Sequence, residues 1–305
     1  MTLAKDFTAS ASLLTSVKDA VTILLHKKGA KDQLENYHPI TLLNNSYKLL
    51  ARVLASRVKR LLHKVISKEQ FGFIPGRRFF NAIRLVADVI DAAKNGKEDL
   101  FLLLVDFKKE FDSVSRDFFF EVLGKMGFPT RFIGWVKGLH QNTRTNLIVN
   151  GWLGKAVEVI SGVRQGCPLA PYLFLCAVEP LAQKVEKRKI GITLTSCVGQ
   201  RLCYVSYADD TTLLLQGKRQ ITKAEEVLKE FEGLLGLSTN KGKSVVLPLG
   251  CNLGKQTWWT HGFKWAGADE ADRLLGVWIT QSGSCQPTWD KAFQRIVRKM
   301  TLWQP

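Results

Sequence analysis

Apolar positions along this chain recur in two ways, at helical spacing and in the continuous or alternating runs of strands. Between residues 47 and 65 they fall at 49, 50, 53, 54, 58, 61, 62 and 65, which predicts a helix with Lys48, Arg52, Arg57, Lys59 and Arg60 lying among them. The same spacing predicts helices over residues 79–93 (closed by Gly96), from Ser115, over 130–140, from Pro171 through Val185, over 224–235 and over 288–300. Strand-like runs cover residues 21–25, 100–105, 202–206, 211–215, 244–249 and 274–279. Asn150-Gly151 between 145–149 and 157–160 reads as a hairpin whose return strand starts late. Residues 1–20 carry little pattern and read as an irregular tail.

One pair of strand runs carries charge where charge is costly. Tyr207-Ala208-Asp209-Asp210 lies between them, which predicts a hairpin with two adjacent carboxylates at its tight turn. Unpaired like charges raise one another's pKa and resist burial. A divalent cation offsets them better than one lysine, whereas a solvated turn is the bland alternative, because Asp is a common turn residue. Asp106 supplies a third carboxylate, since it ends the apolar run of residues 100–105. Three such groups suit two Mg²⁺ ions, which take hard oxygen ligands and complete their shells with water and substrate phosphates. Two ions ~4 Å apart stabilise both oxygens of an in-line phosphoryl transfer.

Charge narrows the class of partner. Lysine and arginine outnumber aspartate and glutamate by 44 to 27, a formal charge of +17, which suits a polyanion or an anionic surface. No apolar stretch is long enough to span a membrane, and Lys5, Asp6, Lys18 and Asp19 break any secretory pattern near the start. The cysteines form no C-x-x-C pair and the histidines no ligand cluster, so structural zinc is not indicated and Cys167, Cys176 and Cys203 read as small core residues. No phosphate loop of Walker type is present. Trp258, Trp259, Trp265, Trp278, Trp289 and Trp303 crowd the last part of the chain, for packing or for stacking on bases.

Seven segments in order then carry a resemblance. They are Asn36-Tyr37-His38-Pro39-Ile40, Gln70-Phe71-Gly72-Phe73-Ile74-Pro75-Gly76-Arg77, Asp106-Phe107-Lys108-Lys109-Glu110-Phe111-Asp112, Gly162-Val163-Arg164-Gln165-Gly166-Cys167-Pro168-Leu169, Tyr207-Ala208-Asp209-Asp210, Asn240-Lys241-Gly242-Lys243-Ser244 and Leu274-Leu275-Gly276-Val277. Over residues 21–289 the chain resembles the reverse transcriptase domain of non-LTR (LINE-type) retrotransposons. The resemblance implies an α+β, right-hand polymerase fold with fingers and palm, an antiparallel palm sheet flanked by helices and a truncated thumb. It divides the chain into the tail at 1–20, a fingers-like region with the first palm elements at 21–99, the palm at 100–250 with an insertion around 115–160, and a primer-grip region with the start of the thumb at 251–305.

It also assigns roles. Asp106, Asp209 and Asp210 would be the catalytic metal ligands for two Mg²⁺ ions, with Mn²⁺ as a substitute. Phe111 would stack beneath the incoming sugar and exclude a 2′-hydroxyl, and Gln165, Gly166, Arg164 and Glu110 would line the nucleotide and template pocket. Arg77, Lys48 and Arg57 would face phosphate there. Tyr207, Ala208, Asn240 and Lys243 would lie on the primer side, and Leu275 and Gly276 would grip the primer end. The implied activity is RNA-directed DNA polymerisation, with an RNA template, a DNA primer and dNTPs as partners, no membrane, and action in the nucleus or cytoplasm. Oligomeric state is not implied.

The chain departs from the family pattern at Glu110, where a small alanine is usual, at His38 for arginine, at Ser46 for aspartate and, mildly, at Ala170 for serine. An endonuclease, most of the thumb and an RNase H domain are not expected. These departures keep a second function open, that of a catalytically inactive retroelement fragment or a repurposed nucleic-acid-binding module.

Overall fold

The opening residues, expected to be irregular, are helical because they are packed. In α1 (Thr2–Ser10) and just after it, Phe7 and Leu13 are buried, and α2 (Thr15–Lys18) follows. The computed structural model describes residues 2–27, 29–95, 99–193, 201–249, 262–267, 270, 272–274, 277–280 and 286–301. It divides into two units, one of residues 1–66, 109–180 and 233–237, the other of 67–108, 181–232 and 238–305.

In the first unit, β1 (Ala20–His26) pairs antiparallel with β2 (Tyr37–Leu43) and parallel with β4 (Arg144–Val149), which continues through Asn150-Gly151 into β5 (Trp152–Glu158). Sheet order is β2-β1-β4-β5. The return strand starts at once, not late: Asn150 and Gly151 have φ of 51° and 83°, the left-handed pair that a two-residue hairpin turn needs. The long basic helix is split into α3 (Asn45–Lys59) and α4 (Leu62–Val65). Asn44 caps α3 by accepting a bond from the Ser46 amide at 2.8 Å. Farther along come α6 (Glu110–Ser113), α7 (Arg116–Lys125), capped by Ser115, and α8 (Thr130–His140). Gly138 of α8 lets the N-terminal segment dock: a Cβ there would lie 1.8 Å from the Ala11 carbonyl oxygen. Helix α9 (Ala170–Lys187) begins in this unit.

The second unit is built on β3 (Leu100–Val105), the centre of a sheet ordered β11-β10-β3-β9-β8. Its members are β8 (Tyr204–Tyr207), β9 (Asp210–Gln216), β10 (Val245–Leu249) and β11 (Lys264–Trp265). All neighbours are antiparallel except β10 and β11, so the sheet is mixed at one edge rather than wholly antiparallel as expected. Covering a strand on both sides explains why β3 reads as an unbroken apolar run. Helix α5 (Phe79–Asn95) contributes Ala82, Val86, Val89, Ile90 and Ala93 to the same core as Leu102, Leu214 and Leu247. A two-stranded piece, β6 (Ile192–Thr193) with β7 (Arg201–Leu202), and α10 (Arg219–Leu235) complete its middle.

Near the end, residues 274–279 are not one strand. They belong to an antiparallel pair, β12 (Asp272–Leu274) and β13 (Val277–Ile279), followed by α11 (Gln286–Thr301). Trp265 packs edge-on against Phe101, while Trp289 is exposed; Trp258, Trp259 and Trp303 lie outside the described residues, as do Gly96, Cys197, Cys251, Cys285 and His261. Cys167, Cys176 and Cys203 are buried free thiols, as their apolar surroundings suggest.

His140 at the end of α8 is 1% exposed, with Nδ1 2.9 Å from the Val136 carbonyl oxygen. Burial, with Arg116 and Arg164 nearby, lowers its pKa from 6.5 to about 4. The unfolded chain therefore binds a proton that the folded chain refuses, and stability present above pH 6.5 drains away as pH falls toward 4. Replacing His140→Phe is expected to flatten the stability-versus-pH curve over that window by about one proton, roughly 1.4 kcal/mol per pH unit, measured by urea unfolding at several pH values.

Candidate active site

Strand register draws three aspartates toward one end of the sheet. In the β3–β9 pairing Leu104 faces Thr212 and Val105 faces Thr211, so the next step along that register sets Asp106 opposite Asp210. Across the β8–β9 hairpin Tyr207 pairs with Asp210, which leaves Ala208 and Asp209 as the two-residue turn. The 103 intervening residues hide this proximity in the sequence; the register supplies it.

The backbone at Asp106 is tied down on both sides. Its amide donates to Ser244 Oγ at 3.0 Å, and its carbonyl accepts from the Asn240 amide at 2.7 Å. Ser244 Oγ in turn donates to the Asn240 carbonyl at 2.9 Å. Lys108 continues the pairing by donating its amide to the Ser238 carbonyl at 2.8 Å. Asn240, expected on the primer side, thus has a backbone role in holding Asp106, while Lys243 projects into solvent.

Electrostatics at the carboxylates are unfavourable in the way their types require. Burial, then the charge of Asp106, raises the Asp209 pKa from its ordinary value, against a local backbone hydrogen bond. Surrounding protein and the charges of Asp209 and Asp106 push Asp210 upward too, with Arg273 opposing. Asp210 reaches solvent, which screens it, so the effect counts most at half-buried Asp209. Among the described residues no three acidic, histidine or cysteine side chains close into a ready-made metal cage. Hard cations that keep their waters need only one or two carboxylates plus substrate phosphates, and the clustered like charges fit such an ion.

The turn has its own supports. Tyr207 packs edge-on against Phe79 at 5.5 Å between ring centroids. Ala208 is buried with φ of 60°, a left-handed conformation that a non-glycine residue adopts at some cost. Arg77, expected to face phosphate, donates from one guanidinium nitrogen to the Ser67 and Gln70 carbonyls at 2.5 and 2.7 Å. It braces the loop that lies along β8. Leu275 and Gly276 fall outside the described residues.

Residues expected in the nucleotide pocket belong to the first unit. Lys109, with φ of 49°, turns the chain into α6, which carries half-buried Glu110 and Phe111. Phe111 stacks on Phe174 with centroids 4.7 Å apart and planes at 28°. Gln165 Nε2 donates to both carboxylate oxygens of Asp112, at 3.0 and 2.9 Å. Burial raises the Asp112 pKa while the Gln165 bond, His38 and Lys109 lower it. Gly162 is needed there, since a Cβ would fall 2.5 Å from the Phe111 carbonyl oxygen, and a Cβ on Gly166 would fall 2.7 Å from that of Thr41. Arg164 is not presented to solvent: it is 5% exposed and lies over the Tyr47 ring at 4.9 Å. Arg57 lies over Trp135 at 5.7 Å, and Lys48 is half-buried. Asp112, the partner that orients Gln165, received no role from the sequence, although its place in the Asp106 to Asp112 segment marked it.

A model of the family described as "Reverse transcriptase (RNA-dependent DNA polymerase)" matches residues 25–269. The chain is 31% identical over 229 residues to the "Transposon TX1 uncharacterized 149 kDa protein" of Xenopus laevis, covering 75% of this chain and 17% of that protein. It is 25% identical over 235 residues to a "Retrovirus-related Pol polyprotein from type-1 retrotransposable element R2" of Popillia japonica, covering 76% of this chain and 32% of that one. The chain thus spans at most a third of the length of these two relatives. In structure it is similar to telomerase from Candida tropicalis solved with a fragment of telomeric RNA, with a TM-score of 0.58 at 13% identity, covering 92% of this chain and 46% of that one. That likeness gives the fold alone, a mixed α/β architecture.

Asp209→Asn is expected to stabilise the protein at neutral pH in buffer containing a chelator. A carboxyl whose folded pKa is raised above 3.8 makes the folded state bind more protons in the window just above that value, so stability falls as pH rises through it. Removing the charge removes that loss. Thermal melts should show the variant above wild type at pH 7, with the gap closing as pH falls toward 3.8.

Proposed function

The chain belongs to the reverse transcriptase (RNA-dependent DNA polymerase) family, of the kind found in non-LTR retrotransposons, and from that membership we propose that it extends a DNA primer with dNTPs on an RNA template. The observation that carries the reading is the register that brings Asp106 across from Asp210 with Asp209 at the adjoining turn. On this reading the five-stranded sheet would be the palm and the four-stranded sheet with α3 the fingers, with residues 251–305 as the primer grip and the beginning of a thumb.

Asp106, Asp209 and Asp210 would hold two Mg²⁺ ions, or Mn²⁺, which when bound supply acidity to the primer 3′-hydroxyl and neutralise the leaving pyrophosphate. The residues of the chain do the positioning. Clustered, partly desolvated carboxylates prefer a cation to each other, which gives the site its affinity before substrate arrives. Phe111, fixed by its stack on Phe174, offers a flat apolar surface to a deoxyribose and no partner for a 2′-hydroxyl. Gln165, held by Asp112, presents its remaining amide oxygen as an acceptor toward a base or sugar. The charge of +17 provides the general attraction for the nucleic-acid backbone.

Primer extension on RNA and DNA templates in Mg²⁺ tests the reading. Wild type is expected to extend, while Asp106→Asn and Asp209→Asn lose extension and stay folded; extension by either at the wild-type rate would sink the assignment. Glu110→Ala, which removes a carboxylate beside the sugar pocket, is expected to raise dNTP incorporation. Phe111→Ala is expected to admit ribonucleotides, seen as a fall in the ratio of dNTP to NTP incorporation.

A further inference from the structure

Gln70 is 3% exposed and lies in the loop between α4 and α5, far in sequence from the acidic turn. Its side-chain amide nevertheless spends every strong bonding position on that turn and its neighbours. Oε1 accepts from the Ala208 amide at 2.8 Å and from the Gly72 amide at 2.9 Å. Nε2 donates to the Ala208 carbonyl at 3.2 Å and to Ser206 Oγ at 3.0 Å. The amide can be oriented only one way, because turning it over would set its NH₂ against two backbone N–H groups. Both backbone polar groups of Ala208, the residue directly before Asp209, are therefore clasped by one buried side chain.

The surroundings make the clasp rigid. Phe71 donates its amide to the Ser206 carbonyl at 2.7 Å, and Ser206 donates its own to the Glu69 carbonyl at 2.9 Å, so the loop runs beside β8 like a short extra strand. Ser206 Oγ also lies 3.0 Å from Thr211 Oγ1 across the hairpin. Arg77 fixes the Gln70 carbonyl. Gly72 admits the turn, since a Cβ there would fall 2.4 Å from the Ala208 amide nitrogen. A left-handed alanine persists where its surroundings over-determine it, and here two hydrogen bonds of one amide hold Ala208 while its other two tie that amide to Gly72 and Ser206.

We propose that Gln70 is a positioning residue of the active site, whose buried amide locks Ala208 in its left-handed conformation and thereby sets the direction in which the Asp209 carboxylate meets a divalent cation. This rests on the polymerase reading of the three aspartates. Removing a group that orients a metal ligand typically lowers metal affinity or activity by about 10–100-fold. A merely structural glutamine would instead reduce the amount of folded protein and leave each folded molecule unaltered.

The full-length chain would be compared with Gln70→Met, which keeps the shape without the bonds, and Gln70→Glu, which keeps both acceptor positions and loses the donors. Pre-steady-state primer extension gives the incorporation rate and the dNTP affinity separately, and titration with Mn²⁺ followed by electron paramagnetic resonance gives cation binding without turnover. Gln70→Met is expected to lose about 10–100-fold in incorporation rate and in Mn²⁺ affinity, with dNTP affinity changed by no more than about twofold. Gln70→Glu is expected to fall between it and wild type. Wild-type rate and Mn²⁺ affinity per folded Gln70→Met molecule would overturn the proposal; should that variant not fold, the same result in Gln70→Glu overturns it. Asp209→Asn run alongside separates the two levels: if it extends primers normally the polymerase reading fails, and if it is dead while the Gln70 variants are normal only the clasp fails.

Discussion

The second unit draws three carboxylates of like charge toward one end of its sheet. Nothing in the local sequence forces Asp106 near Asp209 and Asp210; an apolar strand pairing does, and the burial of that core overrides the electrostatic cost. A slip by one residue would carry Asp106 out of line with Asp210, while the leucines of that strand merely exchanged one apolar face for the other. The hydrophobic core therefore holds the charges together, and the backbone ties from Asn240 and Ser244 keep Asp106 from relieving the strain by moving away.

Polar groups buried elsewhere serve orientation more than stability. Gln165 and Asp112 fix one another, and Arg77 spends its charge on two carbonyls. Such bonds contribute modestly once the lost water contacts are counted, but leaving either partner alone in the interior is costly. Each pair thus restricts the alternatives open to a loop. Arg116 does this on a larger scale, donating to the carbonyls of His140, Ser161 and Gly162 and so joining α7, the end of α8 and the loop before Arg164.

Much of this was legible in the residues. The apolar run of β3, the acidic hairpin and the amphipathic helices α5, α8 and α10 announced themselves through periodicity, which burial makes faithful. The N-terminal helices did not, because their order comes from distant partners such as Gly138 rather than from their own pattern. The turn at Asn150-Gly151 was visible while its return strand was not: β5 is exposed along its whole length, so Lys155 and Gly154 carry no alternation for pattern to detect. The resemblance sets Arg77 toward phosphate and Arg164 in the nucleotide pocket, but a guanidinium serves equally well inside a fold where carbonyls or a ring await it. Gln70 carries no local sign of its role, since its bonds reach a residue 138 positions away.

The chain passes between its two units at residues 66, 108, 180, 232 and 237, so neither is a continuous stretch of polypeptide. Synthesis proceeds from the N-terminus at about 5–20 residues per second, and a unit cannot close before its last segment has left the ribosome. The first unit waits for residues 233–237, and the second for β11 and for the core residues Leu274 and Ile279 beyond it, so both mature late. A chain stopped within its first two hundred residues consequently lacks part of both units, and neither has all the segments it needs to close.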